Sequence, residues 1–383
     1  MRKLSKLLLV TAATMMTVPA LANSRVASGV RDGLAWEATS RIIGMTPTSV
    51  DVSPGVAGGG NPLFFPSSNK SGVVALIMEY SGGAFICSGS LMADRVSILT
   101  AAHCVSDGFG TAGPLKTTAY FFTGNPNERT PFNVNAKAVE VSKIMVNSGY
   151  TGEVIDENDI AVLRLKTGVF GVDAYDLHDG GLQGEQFNVA GYGGRSTIGG
   201  AFGVNARTGF LREGDNNYDY SWGNSEFGGF FTDRDGSGEG FFGFADYENS
   251  WVSDFDSGLA TNDMSCRIAA AVGASPGFGC NTGVGAREVG VAGGDSGGPQ
   301  FINGRIASVT SYGLSFGTGF GDCRAGLNSS CGEYSGYVPV NIHKDFIADA
   351  MAVPEPSSWA MLIAGFGLVG ATARRRRNAT VAA

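Results

Sequence analysis

GGDSGGP, at residues 293–299, surrounds one serine, Ser296, with small residues. Flanking glycines permit a tight turn, on which the Ser296 hydroxyl is exposed while the backbone N–H groups of Gly294 and Ser296 point to one spot. Two such donors form an oxyanion hole, which commonly supplies a few kcal/mol of transition-state stabilisation. Alone, this stretch also fits an ordinary glycine-rich turn, so its meaning depends on the rest of the chain.

Two further stretches supply what a serine nucleophile requires. TAAHC at residues 100–104 carries His103, one of three histidines, and NDIAVL at 158–163 carries Asp159. A serine hydroxyl needs a base within hydrogen-bond reach, and that base needs an orienting partner. By itself, His103 fits a core histidine and Asp159 fits a turn cap. Together with Ser296, in the order His, Asp, Ser, they predict a catalytic triad, because unrelated folds use other orders.

The three stretches resemble the signature blocks of the trypsin-like serine proteases, and the resemblance extends over about residues 42–351. It implies that Ser296 attacks the scissile carbonyl of a polypeptide and that His103 takes the proton and later gives it to the leaving amine. It further implies that Asp159 orients the imidazole, while the N–H groups of Gly294 and Ser296 hold the oxyanion. This chemistry needs no metal and no cofactor.

The same resemblance suggests where a substrate binds. Ser311, Tyr312 and Gly313 resemble the segment that pairs with the substrate backbone as an added β-strand. Gly290 stands six residues before Ser296, where trypsin has an aspartate at the base of its first pocket. The sequence therefore does not support a preference for arginine or lysine, and an apolar or small residue fits this pocket better.

An activation step is also suggested. Ile42-Ile43-Gly44 resembles the start of the family's activated chains, in which a new terminal ammonium pairs with the aspartate before the serine, here Asp295. A freshly formed buried ion pair can act as a switch. The alternative is an ordinary coil that contains two isoleucines, and Met45 departs from the usual second glycine.

The six cysteines are an even number in a chain predicted to be exported, which suggests disulfides, although six cysteines allow 15 pairings. The resemblance implies the pair Cys87–Cys104. It also matches Cys266 and Cys280, which are 14 residues apart, to a familiar disulfide loop. The family's cysteine four positions before the serine is replaced by Ala292, so we expect Cys323 to pair with Cys331.

Short apolar runs separated by turn residues recur along the chain. Val73–Met78 and Ala84–Ser90 predict a β-hairpin around Ser81-Gly82-Gly83. Further runs predict strands at Ser97–Thr100, Phe121–Phe122, Ala136–Met145, Ile160–Leu165, Phe187–Ala190, Phe301–Thr310 and Tyr337–Val340, and helical spacing predicts a helix over Asn341–Met351. The pattern indicates a β-barrel or sandwich. The resemblance narrows this to an all-β fold of two packed six-stranded antiparallel Greek-key barrels with a C-terminal helix.

Composition changes divide the chain. A basic start, an apolar run and an Ala-x-Ala site predict a signal peptide over residues 1–22. A polar stretch over 23–41 resembles a pro-segment, and the protease domain is expected over 42–352. Within it, about 195–263 is dense in glycine, aromatics and acids. With few aliphatic residues for a core, it predicts an inserted surface region.

The C-terminal residues 353–383 begin with Val353-Pro-Glu-Pro-Ser357 and continue with an apolar segment, 359–373, and four arginines, 374–377. They resemble the PEP-CTERM sorting signal of Gram-negative bacteria, which implies processing by an exosortase-type enzyme. The apolar segment is shorter than the ~20 residues of a membrane-spanning helix, so transient membrane contact is expected. The implied location is the cell envelope, cell surface or extracellular matrix.

The charge of the chain does not indicate a nucleic-acid partner. The net charge is −8, and no basic stripe lies outside the termini. The function predicted is secreted serine endopeptidase. The alternative is a catalytically silent protease homologue that acts as a surface or matrix binding module, whose usual mark, a lost triad residue, is absent.

Overall fold

The computed structural model describes residues 26–39, 42–45, 61–108, 113–122, 124, 130, 135–232, 236–352, 364, 366 and 368–369. The predicted signal peptide and most of the predicted sorting signal lie outside these residues. Within them, no helix has both the length and the apolar character that crossing a membrane requires.

The first half of the fold is a closed antiparallel barrel in the order β4-β5-β6-β9-β8-β7. The predicted hairpin is confirmed, since Tyr80 pairs with Gly83 across the turn. Apolar side chains fill the barrel, with Leu76, Ile98 and Leu163 fully buried. The strands are β4 (Val73–Tyr80), β5 (Gly83–Leu91), β6 (Ser97–Thr100), β7 (Lys116–Phe121), β8 (Lys137–Val146) and β9 (Ala161–Leu165).

The second half is a curled nine-stranded sheet that does not close. Its main path is β11-β10-β15-β16-β17-β13-β12, and a hairpin, β1 with β2, joins through pairing of β2 with β16. Its strands are β1 (Ala27–Arg31), β2 (Leu34–Thr39), β10 (Gln186–Gly191), β11 (Arg212–Asn217), β12 (Tyr220–Ser221), β13 (Trp251–Asp254), β15 (Pro299–Ile302), β16 (Arg305–Ser315) and β17 (Tyr334–Pro339). Separately, β3 (Ile42–Gly44) pairs with β14 (Val289–Val291). The predicted fold class is confirmed as a mostly-β, chymotrypsin-like two-barrel architecture.

Two elements differ in detail from the sequence prediction. The run expected as one strand over Phe301–Thr310 is split by a two-residue turn, Asn303-Gly304, with φ of 50° and 76°. Both values are positive, and Asn-Gly favours this hairpin geometry. The C-terminal helix begins as a 3₁₀ turn, Val340–His343, before α2 (Lys344–Ala352). A further helix, α1 (Met264–Ala271), was not predicted.

The inserted region is not the solvated surface loop that its composition suggested. Trp222 and Phe231 are fully buried, and Phe242 is nearly so. These rings form edge-to-face contacts, with the Trp222 and Phe231 centroids 4.7 Å apart. Such pairs stabilise a core beyond the area they bury. Aromatic rings therefore form the hydrophobic core of this region, as aliphatic side chains do in the first barrel.

Three disulfides are formed, and their partners are those that the sequence analysis expected. Cys87 is bonded to Cys104, Cys266 to Cys280 and Cys323 to Cys331. The first joins β5 to the turn that follows β6. The second ties α1 to the loop after it, and the third closes a short loop before β17.

Candidate active site

His103 and Asp159 lie at the same end of two neighbouring strands. His103 is in a 3₁₀ turn, Ala102–Cys104, directly after β6, and Asp159 shortly precedes β9. Because β6 and β9 are antiparallel partners, with Thr100 opposite Ala161, the end of one meets the start of the other. The barrel thus brings together two residues that are 56 positions apart in sequence.

The Asp159 carboxylate binds His103 twice, once at the imidazole and once at the backbone N–H. Its Oδ2 lies 2.7 Å from His103 Nδ1, and its Oδ1 accepts a hydrogen bond of 2.8 Å from the His103 backbone N–H. Ser311 Oγ, from the second sheet, donates to Oδ2 at 2.6 Å. Asp159 is only 2% exposed. This carboxylate favours a proton on Nδ1, which leaves Nε2 to act as a base.

The loop that carries Ser296 docks on the first barrel. Ser88 of β5 donates its backbone N–H to Ser296 O at 2.8 Å and its hydroxyl to Gly294 O at 2.9 Å. Gly297 has a φ of +76°, and a Cβ there would collide with Thr100 Oγ1. Only glycine therefore permits this approach, which brings Ser296 beside the His103 turn.

No hydrogen bond joins Ser296 to His103 in this conformation. Within the described part of the chain, His103 Nε2 is buried and has no hydrogen-bond partner. Ser296 itself is 2% exposed. Hydrogen bonds of this kind are often loose before a substrate binds and tighten in the complex. The contact of 3.7 Å between Cys104 Sγ and Ser296 O places the serine loop next to the His103 turn.

Asp295 is fully buried among backbone groups. It accepts hydrogen bonds from the N–H of Gly193 and of Ala292, both at 2.8 Å. Burial raises the pKa of Asp295 well above its ordinary value. Among the described residues, none of the ion pairs includes Asp295. A positive charge brought to this place would therefore meet a desolvated carboxyl group that has no ion-pair partner among the described residues.

The predicted activation segment lies along the strand that leads into the serine loop. Backbone pairing sets Ile42 opposite Val291 and Ile43 opposite Gly290. Asp295 follows Val291 by four positions. The backbone of Ile42 is thus held on the strand that leads to the buried carboxyl, although the side chains of 42–44 are outside the described residues.

The predicted substrate edge is part of β16. Tyr312 pairs with Gly336 of β17, and a bulge separates it from Thr310. Its ring is buried, and its hydroxyl accepts a hydrogen bond of 2.8 Å from Trp222 Nε1. Gly313 is paired on both sides, with Ser335 of β17 and with Thr39 of β2. The inserted region and the N-terminal hairpin therefore both pack on this segment.

Several residues at the site were missed by sequence analysis. Ser88 positions the serine loop, yet its sequence context shows only an ordinary strand. Phe255 lies against the predicted pocket base, 3.3 Å from where a Cβ on Gly290 would be. Asp32-Gly33, the turn of the N-terminal hairpin, has φ of 50° and 83°. Asp-Gly is a common hairpin turn, so this feature could have been recognised.

The other two histidines do not join this site, whereas the Cys87–Cys104 disulfide lies beside His103. His343 is buried, with Nδ1 3.0 Å from Asn147 Nδ2 and Nε2 2.7 Å from Glu157 O. His178 lies before β10, outside the triad region. Two groups of potential metal ligands are close together, Cys87 with His103 and Cys104, and Asp263 with Cys266 and Cys280. Their cysteines are all in disulfides, so no thiolate is offered.

Comparison with known families finds two matches. Residues 66–205 match the trypsin family model, and residues 352–377 match the PEP-CTERM protein-sorting motif. The first match contains His103 and Asp159 and ends before Ser296. A search of curated proteins gives no match. The chain thus contains a stretch similar to the trypsin family and a C-terminal sorting motif that indicates export.

Proposed function

We propose that this protein is an exported serine endopeptidase whose triad is Ser296, His103 and Asp159. The observation that carries the proposal is the hydrogen-bonded Asp159–His103 pair beside the docked serine loop. The pair joins residues of the first barrel, whereas the nucleophile comes from the second half. Two independent parts of the fold thus converge where the reaction needs a base and a hydroxyl.

The reaction follows from these positions. His103 Nε2 takes the proton of Ser296 as its Oγ attacks the scissile carbonyl, and Asp159 stabilises the imidazolium that forms. The backbone N–H groups of Gly294 and Ser296 donate to the oxyanion. His103 then protonates the leaving amine, an acyl-enzyme remains, and water, activated by His103, releases the second product.

Substrate binding is proposed on the backbone of Ser311, Tyr312 and Gly313, as an added antiparallel strand. Gly290 gives the first pocket no acidic side chain at its base. Phe255 beside Gly290 adds an apolar wall. These two features favour a small or apolar residue before the scissile bond.

Activation is proposed to require a cut before Ile42. The new ammonium would pair with Asp295, whose carboxyl is buried among backbone N–H groups. Because an unpaired charge in such a place is costly, the pair would fix the serine loop only in the cut chain. The pairing of Ile42 with Val291 of β14 supports this step.

Export is indicated by the PEP-CTERM motif. We propose processing by an exosortase-type enzyme, with the apolar segment 359–373 touching the membrane transiently. The mature protease would then act at the surface or in the matrix of a Gram-negative cell. The N-terminal 1–22 is proposed as the signal peptide.

Fluorophosphonate labelling tests the triad, because the reagent captures only an activated serine. We expect the exported chain, cut after Arg41, to be labelled, and Ser296→Ala to abolish labelling. Ser142→Ala, at an exposed serine of β8, is the matched control and should be labelled like the parent. A folded, correctly cut protein that does not label would contradict the peptidase and favour the silent binding module.

A further inference from the structure

The N-terminal hairpin, β1 with β2, occupies one edge of β16. Antiparallel pairing sets Thr39 opposite Gly313, Ala38 opposite Leu314 and Glu37 opposite Ser315. Gly313 belongs to the segment that we propose pairs with the substrate backbone. A strand of the protein itself is therefore hydrogen-bonded in the manner, and in part at the place, that a peptide substrate would use.

The direction of β2 makes this overlap more specific. Since β2 is antiparallel to β16, its pairing proceeds from Ser315 to Gly313, and Ser311, whose hydroxyl is hydrogen-bonded to Asp159, lies two residues further along β16. Three residues after Thr39, Ile42 starts β3, which pairs with β14, the strand that leads to Ser296. Three Cα steps span at most about 11 Å. The bond before Ile42 thus connects the substrate edge with the activation strand.

The hairpin is anchored through one aromatic side chain. Trp36 is 8% exposed, and its ring meets Phe242 of the inserted region edge-to-face, with centroids 5.2 Å apart. Leu34 and Ala38, on the same face of β2, are buried in the same cluster. Arg31 donates to the backbone oxygen of Gly240. The alternate face of the hairpin carries Val30, which is 75% exposed.

Cavities flank this anchor on both sides. One, of about 410 Å³, lies between the hairpin and the end of β16 and is lined by Trp36, Phe316 and Gly317, among others. The other, of about 390 Å³, lies between Trp36 and Glu153–Ile155. Both are grooves that open to solvent, so solvent reaches the hairpin on either side of the Trp36 contact.

We propose that residues 27–39 are an inhibitory segment that covers the substrate edge of β16 until it is released. The proposal rests on the proposed function of that edge. While the chain is intact, the covalent link keeps the segment at a high effective concentration. A cut after Arg41 removes that link, and activity then requires the hairpin to leave as well. Activation is therefore a cut followed by dissociation.

The test uses the exported full chain in three forms: parent, Trp36→Ala and Val30→Ala. Each is cut after Arg41 by a trace of trypsin, with the cut verified by mass spectrometry. Fluorophosphonate labelling rates are then measured with and without an added peptide of residues 23–41. Hydrogen exchange of the backbone amides of 313–315 is followed in the same samples.

We expect the cut Trp36→Ala protein to label at least tenfold faster than the cut parent, and the parent peptide to slow it again. Val30→Ala should behave as the parent, because its side chain is exposed. Exchange at 313–315 should rise in cut Trp36→Ala alone. Equal labelling rates in parent and Trp36→Ala, with no effect of the peptide, would overturn the inference.

Failure of the proposed function would be recognised separately. If none of the cut proteins labels, the peptidase proposal fails, yet amide exchange still reports on the hairpin. Protection at 313–315 that is lost in Trp36→Ala and restored by the peptide supports a releasable cover on this edge. Protection that is the same in all three forms overturns it.

Discussion

The two halves of this fold differ in how they are held together. The first barrel closes on itself and packs aliphatic side chains such as Leu76 and Leu163. The second sheet stays open, packs aromatic rings around Trp222, and buries several carboxyl groups. A closed barrel has no free edge, whereas an open sheet offers edges on which a hairpin or a substrate can add. The comparison indicates that the first half is scaffold and the second half is where binding is controlled.

The largest effect is expected where the halves meet, at Asp159. Asp159→Asn should lower kcat by roughly 10³–10⁴-fold, because the amide favours the wrong imidazole tautomer. Ser311→Ala, which removes the second sheet's hydrogen bond to Asp159, should cost about tenfold. Steady-state hydrolysis of a peptide substrate by the cut protein measures both. Asp176→Asn, at an exposed acid, is the control. If Asp159→Asn retains full activity, the contact between the halves is structural only.

Core substitutions compare the two kinds of packing. Trp222→Ala should lower the free energy of unfolding by about 3–5 kcal/mol, since it removes a fully buried ring. Leu163→Ala in the first barrel should cost about 2–5 kcal/mol for the same reason. Urea unfolding of both variants gives the values. A loss well below 1 kcal/mol for Trp222→Ala would show that the inserted region is an appendage of the sheet rather than its core.

The buried carboxyls of the second half predict a pH dependence of stability. Burial raises the pKa of Asp219 to about 7, of Glu288 to about 8 and of Glu333 to about 7. Between pH 4 and 8 the folded state therefore binds more protons than the unfolded state. The free energy of unfolding should fall as pH rises through this window, by up to about 1.4 kcal/mol per pH unit for each group that titrates.

Glu288→Gln isolates the contribution of the Glu288 carboxyl to the pH dependence of the free energy of unfolding. Urea unfolding at pH 5 and pH 8 should show a smaller decrease for Glu288→Gln than for the parent. Glu140→Gln is the matched control, since Glu140 lies on the surface of the first barrel beside Lys116 and Lys166, and it should keep the parent's slope. An unchanged slope in Glu288→Gln would mean that this carboxyl stays ionised in the fold.

The sequence alone predicts the structure of the first half better than that of the second half. Continuous apolar runs such as Val73–Met78 locate strands within a few residues, because a strand that is buried on both faces needs that pattern. The inserted region was misjudged, since its rings could be recognised as a core only after β16 and β17 supplied a surface for them. The Asp32-Gly33 turn could be recognised from its own two residues. The runs on either side of it are short and weakly patterned, so no hairpin was predicted there.

The sequence by itself determined the strand pattern and the three candidate triad residues, because each depends on residue types in a short stretch, and the family resemblance added the expected cysteine partners. Only the tertiary structure decided that β2 pairs with β16 and that Trp36 rests on Phe242. The physical reason is that backbone hydrogen bonds are nearly the same for every residue type and therefore do not specify which strands pair. Any extended segment can add to an open edge, and which one does so depends on the surfaces that the folded chain presents.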